Sequence, residues 1–341
     1  MQLTCSGFRE RVYPVHKIAA LVFAMSNEGI NPEEVLAGTG IAPERLQSPS
    51  TRVSYEQTQQ AFLNAVRLSS STNCAFRAGE YMRVTAYGMY GYALLSSQSH
   101  RDSAEFGLKY HRVTGPVADM AYAEEGKDAI FVYTPLLSNL PDDDLYRFTT
   151  EFQLASHYTI CRDLYGSAFG LSGVHLRYAP PKHASDYERF FGCPVLFEQE
   201  RNELRFDLHW MAEPMPYANA VTNALALEMC EKSLAEVRKA GSIVGDVYRV
   251  LFEHPGRFPN IDAVAKELNT NERALRRRLA AEQTSYRDIV AEVRMRLAIE
   301  YLRHTDMTNE EIASRLGYSE ATNFRHAFVR WTKRNPTDYR K

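Results

Sequence analysis

Three arginines share one face of a short predicted helix near the carboxyl end of the sequence. Leu275 and Leu279 lie four residues apart and form the apolar stripe of this helix. The arginines on the opposite face are Arg273, Arg276 and Arg277. Guanidinium groups opposite a buried stripe suit a DNA groove, where phosphates and guanine acceptors are exposed. We therefore predict DNA contact, with a merely solvated charged face as the alternative.

A second helix, predicted from Ser319 to about Arg330, presents a more mixed surface. Phe324 and Phe328 face the core, and Ser319 is the predicted N-cap. The outward positions are Thr322, Arg325 and His326. Lys333 and Arg334 follow this helix, and we predict either that they bind phosphate or that they are simply exposed.

Each of these helices follows a shorter helix across a tight turn. In the first unit, Asn260 is predicted to cap the shorter helix and Asn271 to cap the arginine helix. In the second unit, residues 309–316 form the shorter helix and Gly317 permits the turn. Both units are therefore predicted to be helix-turn-helix motifs.

A long helix with an apolar stripe joins the two units, from Tyr286 to about His304. At about 1.5 Å per residue its length is roughly 28 Å. A rigid spacer of this kind can hold two recognition helices about one DNA turn, ~34 Å, apart on one face. The chain is thus predicted to contact two consecutive major grooves of double-stranded DNA.

Charge is divided unevenly along the 341 residues. The whole chain carries 40 Lys and Arg against 42 Asp and Glu, a net charge of −2. Residues 241–341 hold 18 basic against 14 acidic residues, or +4, and the remainder holds 22 against 28, or −6. A basic carboxyl-terminal region after an acidic body fits DNA binding that is confined to one end.

The residues before this region predict an α+β domain. Helical spacing and capping residues predict helices at residues 15–27, 31 onward, 54–68, 88–95, 103–113, 143–165 and 217–239. Alternating apolar runs predict a hairpin of residues 117–122 and 130–134, and strands at 174–178, 195–197 and 204–207. Small residues after Lys239 indicate a boundary, which gives an effector-sensing or dimerisation domain, 1–239, and a DNA-binding domain, 240–341.

The carboxyl-terminal residues resemble a known family, the AraC/XylS-type transcription regulators. The segment EEIASRLGYSEATNFRHAFVRWTKRNPTDYRK resembles the family's C-terminal signature. The segment IDAVAKELNTNERALRRRLAAEQTSYRDIVAEVRMRLAIEYL resembles its first unit and linker helix. The likeness covers residues 240–341, and it implies that the outward residues of the two helices named above are the positions that face bases.

Three positions depart from the family's usual pattern. Lys333 and Gln283 stand where glycine is common, so either would be strained if its φ had to be positive. Asn271 stands where serine is more common, and it can still cap a helix.

Upstream segments resemble the arabinose-binding-type N-terminal domain of one branch of these regulators. They are GINPEEVLAGTGI, GMYGYALLSSQSHRDSAEFGLKYHRVTGP and YERFFGCPVLFEQERNELRFD, within residues 14–210. The likeness does not imply that the effector is arabinose. Aromatic residues in this region could line a ligand pocket but are more typical of a core: Tyr81, Tyr87, Tyr90, Tyr92, Phe106 and Tyr110. His111 and Arg112 could bind an anionic effector, although a surface pair is the favoured interpretation.

The sequence offers little for catalysis or metal binding. It has no GxSxG, HExxH, phosphate-loop or nucleotide-binding glycine pattern. Five widely spaced cysteines without a CxxC pair predict buried thiols, with Cys193 as the best remaining nucleophile. We expect no catalytic residue, no metal site and no cofactor.

Together these patterns predict an α+β N-terminal sensor domain, followed by an all-α C-terminal domain with two helix-turn-helix units and a linker helix. The predicted function is a sequence-specific DNA-binding transcription regulator under the control of a small-molecule effector. The alternatives are an N-terminal domain that only dimerises or binds a protein partner, through the helix at 217–239, and an enzyme with a DNA-binding tail. A homodimer is possible, RNA polymerase would be a partner of an activator, and the lack of a long apolar run or signal peptide predicts a cytoplasmic protein without membrane contact.

Overall fold

The described residues of the chain form two compact units, residues 9–239 and residues 240–341. The computed structural model describes residues 10–138, 140–240, 243, 246–247, 250–251, 258–281, 284–304, 307–332 and 334–340. The first unit contains helices and a sheet, and the second is helical where it is described. The predicted order, an α+β domain before an all-α domain, is confirmed.

The described part of the first unit opens with six helices, of which the first four share one apolar core and the last two contribute to another. Their bounds are α1 His16–Asn27, α2 Pro32–Val35, α3 Tyr55–Leu68, α4 Cys74–Glu80, α5 Met89–Ser96 and α6 His100–Tyr110. The short strands β1 (Tyr13–Pro14) and β2 (Arg52–Val53) pair antiparallel. Three 3-10 helices lie between these elements: Pro43–Gln47, Val84–Tyr87 and His111–Thr114.

Capping residues determine where two of these helices begin. Ser54 accepts a hydrogen bond from the Gln57 amide at 3.2 Å, and the Gln57 side chain accepts one from the Ser54 amide at 3.0 Å. Ser99 and Asp102 form the same capping box before α6. The predicted cap at Ser54 is confirmed, and α6 begins earlier than predicted because Ser99 supplies its cap.

A five-stranded sheet follows the helices. Its strands are β3 Ala118–Glu125, β4 Asp128–Pro135, β5 Gly173–His175, β6 Val195–Leu196 and β7 Asn202–Asp207. Their order is β3-β4-β7-β5-β6, and only β5 and β6 run parallel. The predicted hairpin is confirmed as β3 and β4, with Gly126 at φ +62° in the turn. The other predicted strands are present with shifted ends.

Three further helices complete the first unit: α7 Asp144–Tyr165, α8 Ala184–Phe191 and α9 Ala220–Ala240. Asp143 caps α7 by accepting from the Leu145 amide at 3.1 Å, as expected for an acidic run at a helix start. The sequence did not predict α4, which packs very tightly on α7. A Cβ at Gly79 would lie only 2.5 Å from the Ala155 Cβ, so glycine permits this close approach.

Five helices of the second unit have both ends within the described residues, and all five were predicted. Their bounds are α10 Ile261–Glu267, α11 Glu272–Ala281, α12 Tyr286–His304, α13 Asn309–Arg315 and α14 Ala321–Thr332. A 3-10 helix, Pro336–Tyr339, follows α14. Both ends of α12 lie where its apolar stripe predicted them.

Two separate apolar cores hold this second unit together. The first contains side chains from α10, α11 and the start of α12, including Val264, Leu275, Leu279, Ile289 and Val293. The second contains side chains from the end of α12, α13 and α14, including Leu302, Ile312, Leu316, Phe324 and Phe328. Each helix-turn-helix unit therefore has a core of its own.

Candidate nucleic-acid interface

Helix α11 buries one face and exposes the opposite one. Leu275 and Leu279 are 0% and 1% exposed. The predicted arginines are all exposed: Arg273, Arg276 and Arg277. Arg276 donates through Nε to the Glu272 carboxylate at 2.8 Å, a pair one helical turn apart on the surface. Pairs of this kind are weak, so the guanidinium can exchange Glu272 for a phosphate or a base at little cost.

The turn before α11 depends on an asparagine in a left-handed conformation. Asn269 has φ +52°, and the Thr270 amide donates to the Ala265 carbonyl at 2.8 Å. Asn271 then caps α11 by accepting from the Ala274 amide at 2.9 Å, as predicted. Asparagine is one of the few residues other than glycine that adopts positive φ readily.

The second helix-turn-helix motif repeats this turn geometry with a glycine. Gly317 has φ +73°, and the Tyr318 amide donates to the Ala313 carbonyl at 2.9 Å. Thr308 and Glu311 form a capping box at the start of α13. The two turns are therefore equivalent, with Asn269 in the place of Gly317. Residue spacing in the sequence did not reveal the positive φ of Asn269.

Helix α14 also has a buried face and a polar face. Phe324 and Phe328 are fully buried, and the Phe328 ring meets Tyr339 edge to face at 5.2 Å. The predicted outward residues are all exposed: Thr322, Arg325 and His326. Arg325 makes a long contact of 3.5 Å with the Asn335 side chain. The contact between Phe328 and Tyr339 places the 3-10 helix at Pro336–Tyr339 against the buried face of α14.

One predicted cap is wrong. Helix α14 begins at Ala321, two residues after Ser319, and the Phe324 amide donates to the Glu320 carbonyl at 3.3 Å. The Ser319 hydroxyl instead accepts from the Asn323 side chain at 3.1 Å. The serine contacts a side chain of the first turn and does not cap a backbone amide.

Of the two predicted phosphate-binding residues, the structure places one. Arg334 is exposed, and its amide donates to the Thr332 hydroxyl at 3.2 Å. Lys333 lies outside the described residues, as does Gln283, so their backbone conformations stay predictions.

Arg294 of the linker helix α12 contacts an aromatic ring in each of the two helix-turn-helix motifs. The Arg294 guanidinium lies 5.3 Å from the Phe258 ring centre and 5.0 Å from the Tyr318 ring centre. Phe258 packs on the first core and Tyr318 on the second. The buried Arg294 Nε has no hydrogen-bond partner among the described residues. Arg294 thus contacts both rings, with a hydrogen bond to the Tyr318 side chain in addition, and spacing patterns in the sequence gave no sign of this.

The other predicted features of the first unit have mixed outcomes. Tyr90, Phe106 and Tyr110 are core residues, as favoured, and their neighbours Tyr81 and Tyr92 are exposed. The surface interpretation of His111 is wrong, because its ring is partly buried and donates to the Ala118 carbonyl at 2.9 Å.

The thiols of the described cysteines are buried, as predicted: Cys74, Cys161, Cys193 and Cys230. Burial raises the pKa of Cys193 to about 11, so this thiol stays protonated at neutral pH and is a poor nucleophile. Within the described ranges, no cluster of His, Cys, Asp or Glu could hold a metal ion. No described helix is long and apolar enough to cross a membrane.

Comparisons with known proteins match both parts of the chain. Residues 29–215 match the family described as the arabinose-binding domain of AraC transcription regulators, N-terminal. Residues 264–341 match a helix-turn-helix domain family.

Regulators from Pseudomonas aeruginosa are among the relatives. The chain is 32% identical to the ornithine utilization regulator over 336 residues, and this match covers 98% of each protein. It is 30% identical over 270 residues to the HTH-type transcriptional regulator VqsM, which covers 77% of this chain and 82% of VqsM. The transcriptional regulator CdpR, whose crystal structure is known, is 26% identical to this chain. The superposition covers 89% of this chain and 95% of CdpR and gives a TM-score of 0.46. The two family matches and the likeness to the ornithine utilization regulator along nearly the whole chain show that the chain belongs to the AraC family of DNA-binding transcription regulators.

Proposed function

We propose that the exposed faces of α11 and α14 contact two consecutive major grooves of a bipartite DNA site. The contacting residues are Arg273, Arg276 and Arg277 in α11 and Thr322, Arg325 and His326 in α14. The observation that supports this proposal is the equivalence of the two turns, because equivalent turns orient α11 and α14 in the same way relative to the helix that precedes each of them. Arg334, and Lys333 if it is exposed, add phosphate contacts at the end of α14.

The two helices contribute unequally to binding. Three arginines on α11 match phosphates and guanine acceptors, so α11 supplies more of the salt-dependent affinity. The mixed surface of α14 supplies a larger share of the sequence preference. Alanine substitution of all three α11 residues therefore reduces the salt dependence of binding more than the same substitution in α14.

The test is quantitative footprinting of the purified protein on its own promoter region. Arg276→Ala and Arg325→Ala are each expected to weaken specific binding by ~1 to 3 kcal/mol. Arg189→Ala is the matched control, because Arg189 is an exposed arginine of the first unit and pairs with Asp186 at 3.0 Å. The assignment fails if both recognition variants protect the same DNA with the affinity of the control.

The N-terminal domain is proposed to bind a small-molecule effector that alters DNA binding or its transcriptional outcome. The match to an arabinose-binding-type domain supports this role without identifying the ligand. An effector can act only if it binds two states of the protein with different affinity. DNA affinity and promoter output that do not change across a panel of metabolites would refute effector control.

A second role for the N-terminal unit is dimerisation through α9. One side of this helix packs within the unit through Ala226, Cys230 and Leu234. Its other side exposes an apolar stripe with a spacing of four residues, in which Val221 is 72%, Leu225 58% and Met229 49% exposed. Such a stripe suits a helix–helix contact between two copies of the chain.

Sedimentation of the full-length chain tests this second role. The wild type is expected to sediment as a dimer, and Val221→Glu/Leu225→Glu as a monomer. A monomeric wild type refutes the role. Contact with RNA polymerase is proposed only for the case in which the protein activates transcription.

A further inference from the structure

Lys17 is a buried lysine at the start of α1. Its side chain is 3% exposed, and its ammonium donates to the Thr114 carbonyl at 2.8 Å and to the Thr114 hydroxyl at 3.3 Å. The ammonium also lies 5.3 Å from the centre of the Tyr87 ring. The ring of His16 is 3.5 Å away. All of these contacts are with neutral groups.

Other buried charges in this unit are paired with opposite charges. Glu203 is 2% exposed and contacts Arg201 at 2.6 Å and Arg205 at 2.8 Å. Glu151, 4% exposed, lies 3.7 Å from Arg147. Among the described residues Lys17 has no carboxylate partner. A buried ammonium without an opposite charge is costly, so a negatively charged ligand would stabilise it.

The titratable groups around Lys17 add no negative charge. Burial lowers the pKa of His16 and of His111, the positive charge of Lys17 lowers both further, and Arg52 adds to the effect on His16. Burial lowers the pKa of Lys17 itself to about 7. The neighbourhood is therefore a weakly solvated region of positive potential without a counter-ion.

Residues around Lys17 differ in how deeply they are buried. Lys17 and Thr114 are buried, whereas His16, Tyr87 and His111 beside them are half-buried residues. These side chains come from α1 and from the two 3-10 helices Val84–Tyr87 and His111–Thr114. An ammonium has three donors: two are bound to Thr114, and the third makes only a long contact of 3.5 Å with the His16 ring nitrogen, which a ligand oxygen would replace.

We propose that Lys17, surrounded by His16, Tyr87 and Thr114, anchors the effector by binding the carboxylate of a small organic monoanion. One ammonium matches one negative charge, which favours a monocarboxylate over a phosphate. The Tyr87 ring offers a flat apolar surface for the carbon skeleton next to the carboxylate. This site rests on the proposed effector control, and it gives that control a location and a ligand class.

The first test is thermal unfolding of the full-length protein with acetate, butanoate or 3-phenylpropanoate. The matching amides serve as neutral controls of the same shape. At least one acid is expected to raise the melting temperature more than its amide. In Lys17→Met the affinity for that acid is expected to fall about ten- to a hundredfold. Lys109→Met is the matched control, because Lys109 is an exposed lysine of the same unit, paired with Glu231, and its loss should leave binding unchanged.

A second measurement needs no variant. Because the pKa of Lys17 is lowered to about 7 and a bound carboxylate would raise it, binding at pH 8 is expected to take up a proton. Calorimetry in buffers of different ionisation enthalpy measures this uptake. The histidines stay neutral at pH 8 and do not contribute.

Three outcomes would overturn the site: no acid stabilises the protein more than its amide, the acids stabilise Lys17→Met as much as the wild type, or binding takes up no proton. Inorganic phosphate that stabilises the wild type better than every acid would also refute the monocarboxylate class. DNA affinity is measured on the same samples without acid. A wild type that binds DNA normally but binds no carboxylate refutes this site alone, whereas carboxylate binding that leaves DNA affinity and promoter output unchanged refutes the effector control.

Discussion

Replacing Arg294 tests how the two helix-turn-helix units are held in register. Arg294→Met removes the guanidinium and keeps a long apolar side chain, and Arg294→Lys keeps the charge but loses the planar group that stacks on both rings. Each cation–π contact is worth about 1 kcal/mol at a partly buried position, so the two contacts, with Phe258 and Tyr318, contribute about 2 kcal/mol. Part of that is retained by packing in the methionine variant.

The expected effect is specific to DNA that engages both units. Without the contacts of Arg294, the two recognition helices must first be brought to the correct spacing before both can bind. The conformational entropy lost in this step weakens binding to the full site only. We expect full-site affinity to fall about five- to thirtyfold, which corresponds to ~1 to 2 kcal/mol. Affinity for DNA that carries a single half-site should change less than about twofold.

The assay is fluorescence anisotropy with the full site, each half-site, and a full site with one base pair inserted between the halves. Arg287→Met is the control, because Arg287 is an exposed arginine of the same helix, α12. Arg294→Met should tolerate the insertion better than the wild type does. Equal losses on full and half-sites, or an unchanged penalty for the insertion, would refute the reasoning.

Three further predictions concern stability. Burial lowers the pKa of His111 to about 4 and of His157 to about 3, from an ordinary 6.5, so the unfolded chain binds more protons below pH 6.5. The free energy of unfolding of the N-terminal unit should therefore be greatest above pH 6.5 and fall on acidification, by up to ~1.4 kcal/mol per pH unit for each histidine. Urea unfolding at a series of pH values measures this, and in His157→Gln the free energy of unfolding should depend less steeply on pH. Gly317→Ala should destabilise the second unit by ~1 to 2 kcal/mol, and Asn269→Gly should stabilise it by up to ~1 kcal/mol, because both positions have positive φ; thermal melts that move in the same direction would contradict this. Thr308→Ala should cost ~1 kcal/mol through loss of the α13 capping box, and Thr308→Ser, which keeps the cap, should cost little.

The sequence predicted the elements that depend on local patterns. The stripe of α12 and the caps at Asn260, Asn271 and Ser54 act within one or two helical turns, so their spacing identifies them. The exposed positions of α11 and α14 followed in the same way from their buried partners.

Features that depend on contacts between distant residues were missed. The stack of Arg294 joins residues 258 and 318, and Lys17 bonds to a residue 97 positions away. The tight fit of α4 at Gly79 likewise depends on the backbone of α7. No periodicity links such residues, so only the folded chain shows them.

The two separate cores of the second unit also affect how it leaves DNA. Amide hydrogen exchange reports local opening, and a helix-turn-helix motif with its own core can open while the other motif stays folded. The amides around Phe324 and those around Leu275 are therefore expected to exchange with different opening free energies. On non-specific DNA, one unit can release its groove while the other remains bound, so the protein can shift along the duplex in steps without dissociating completely.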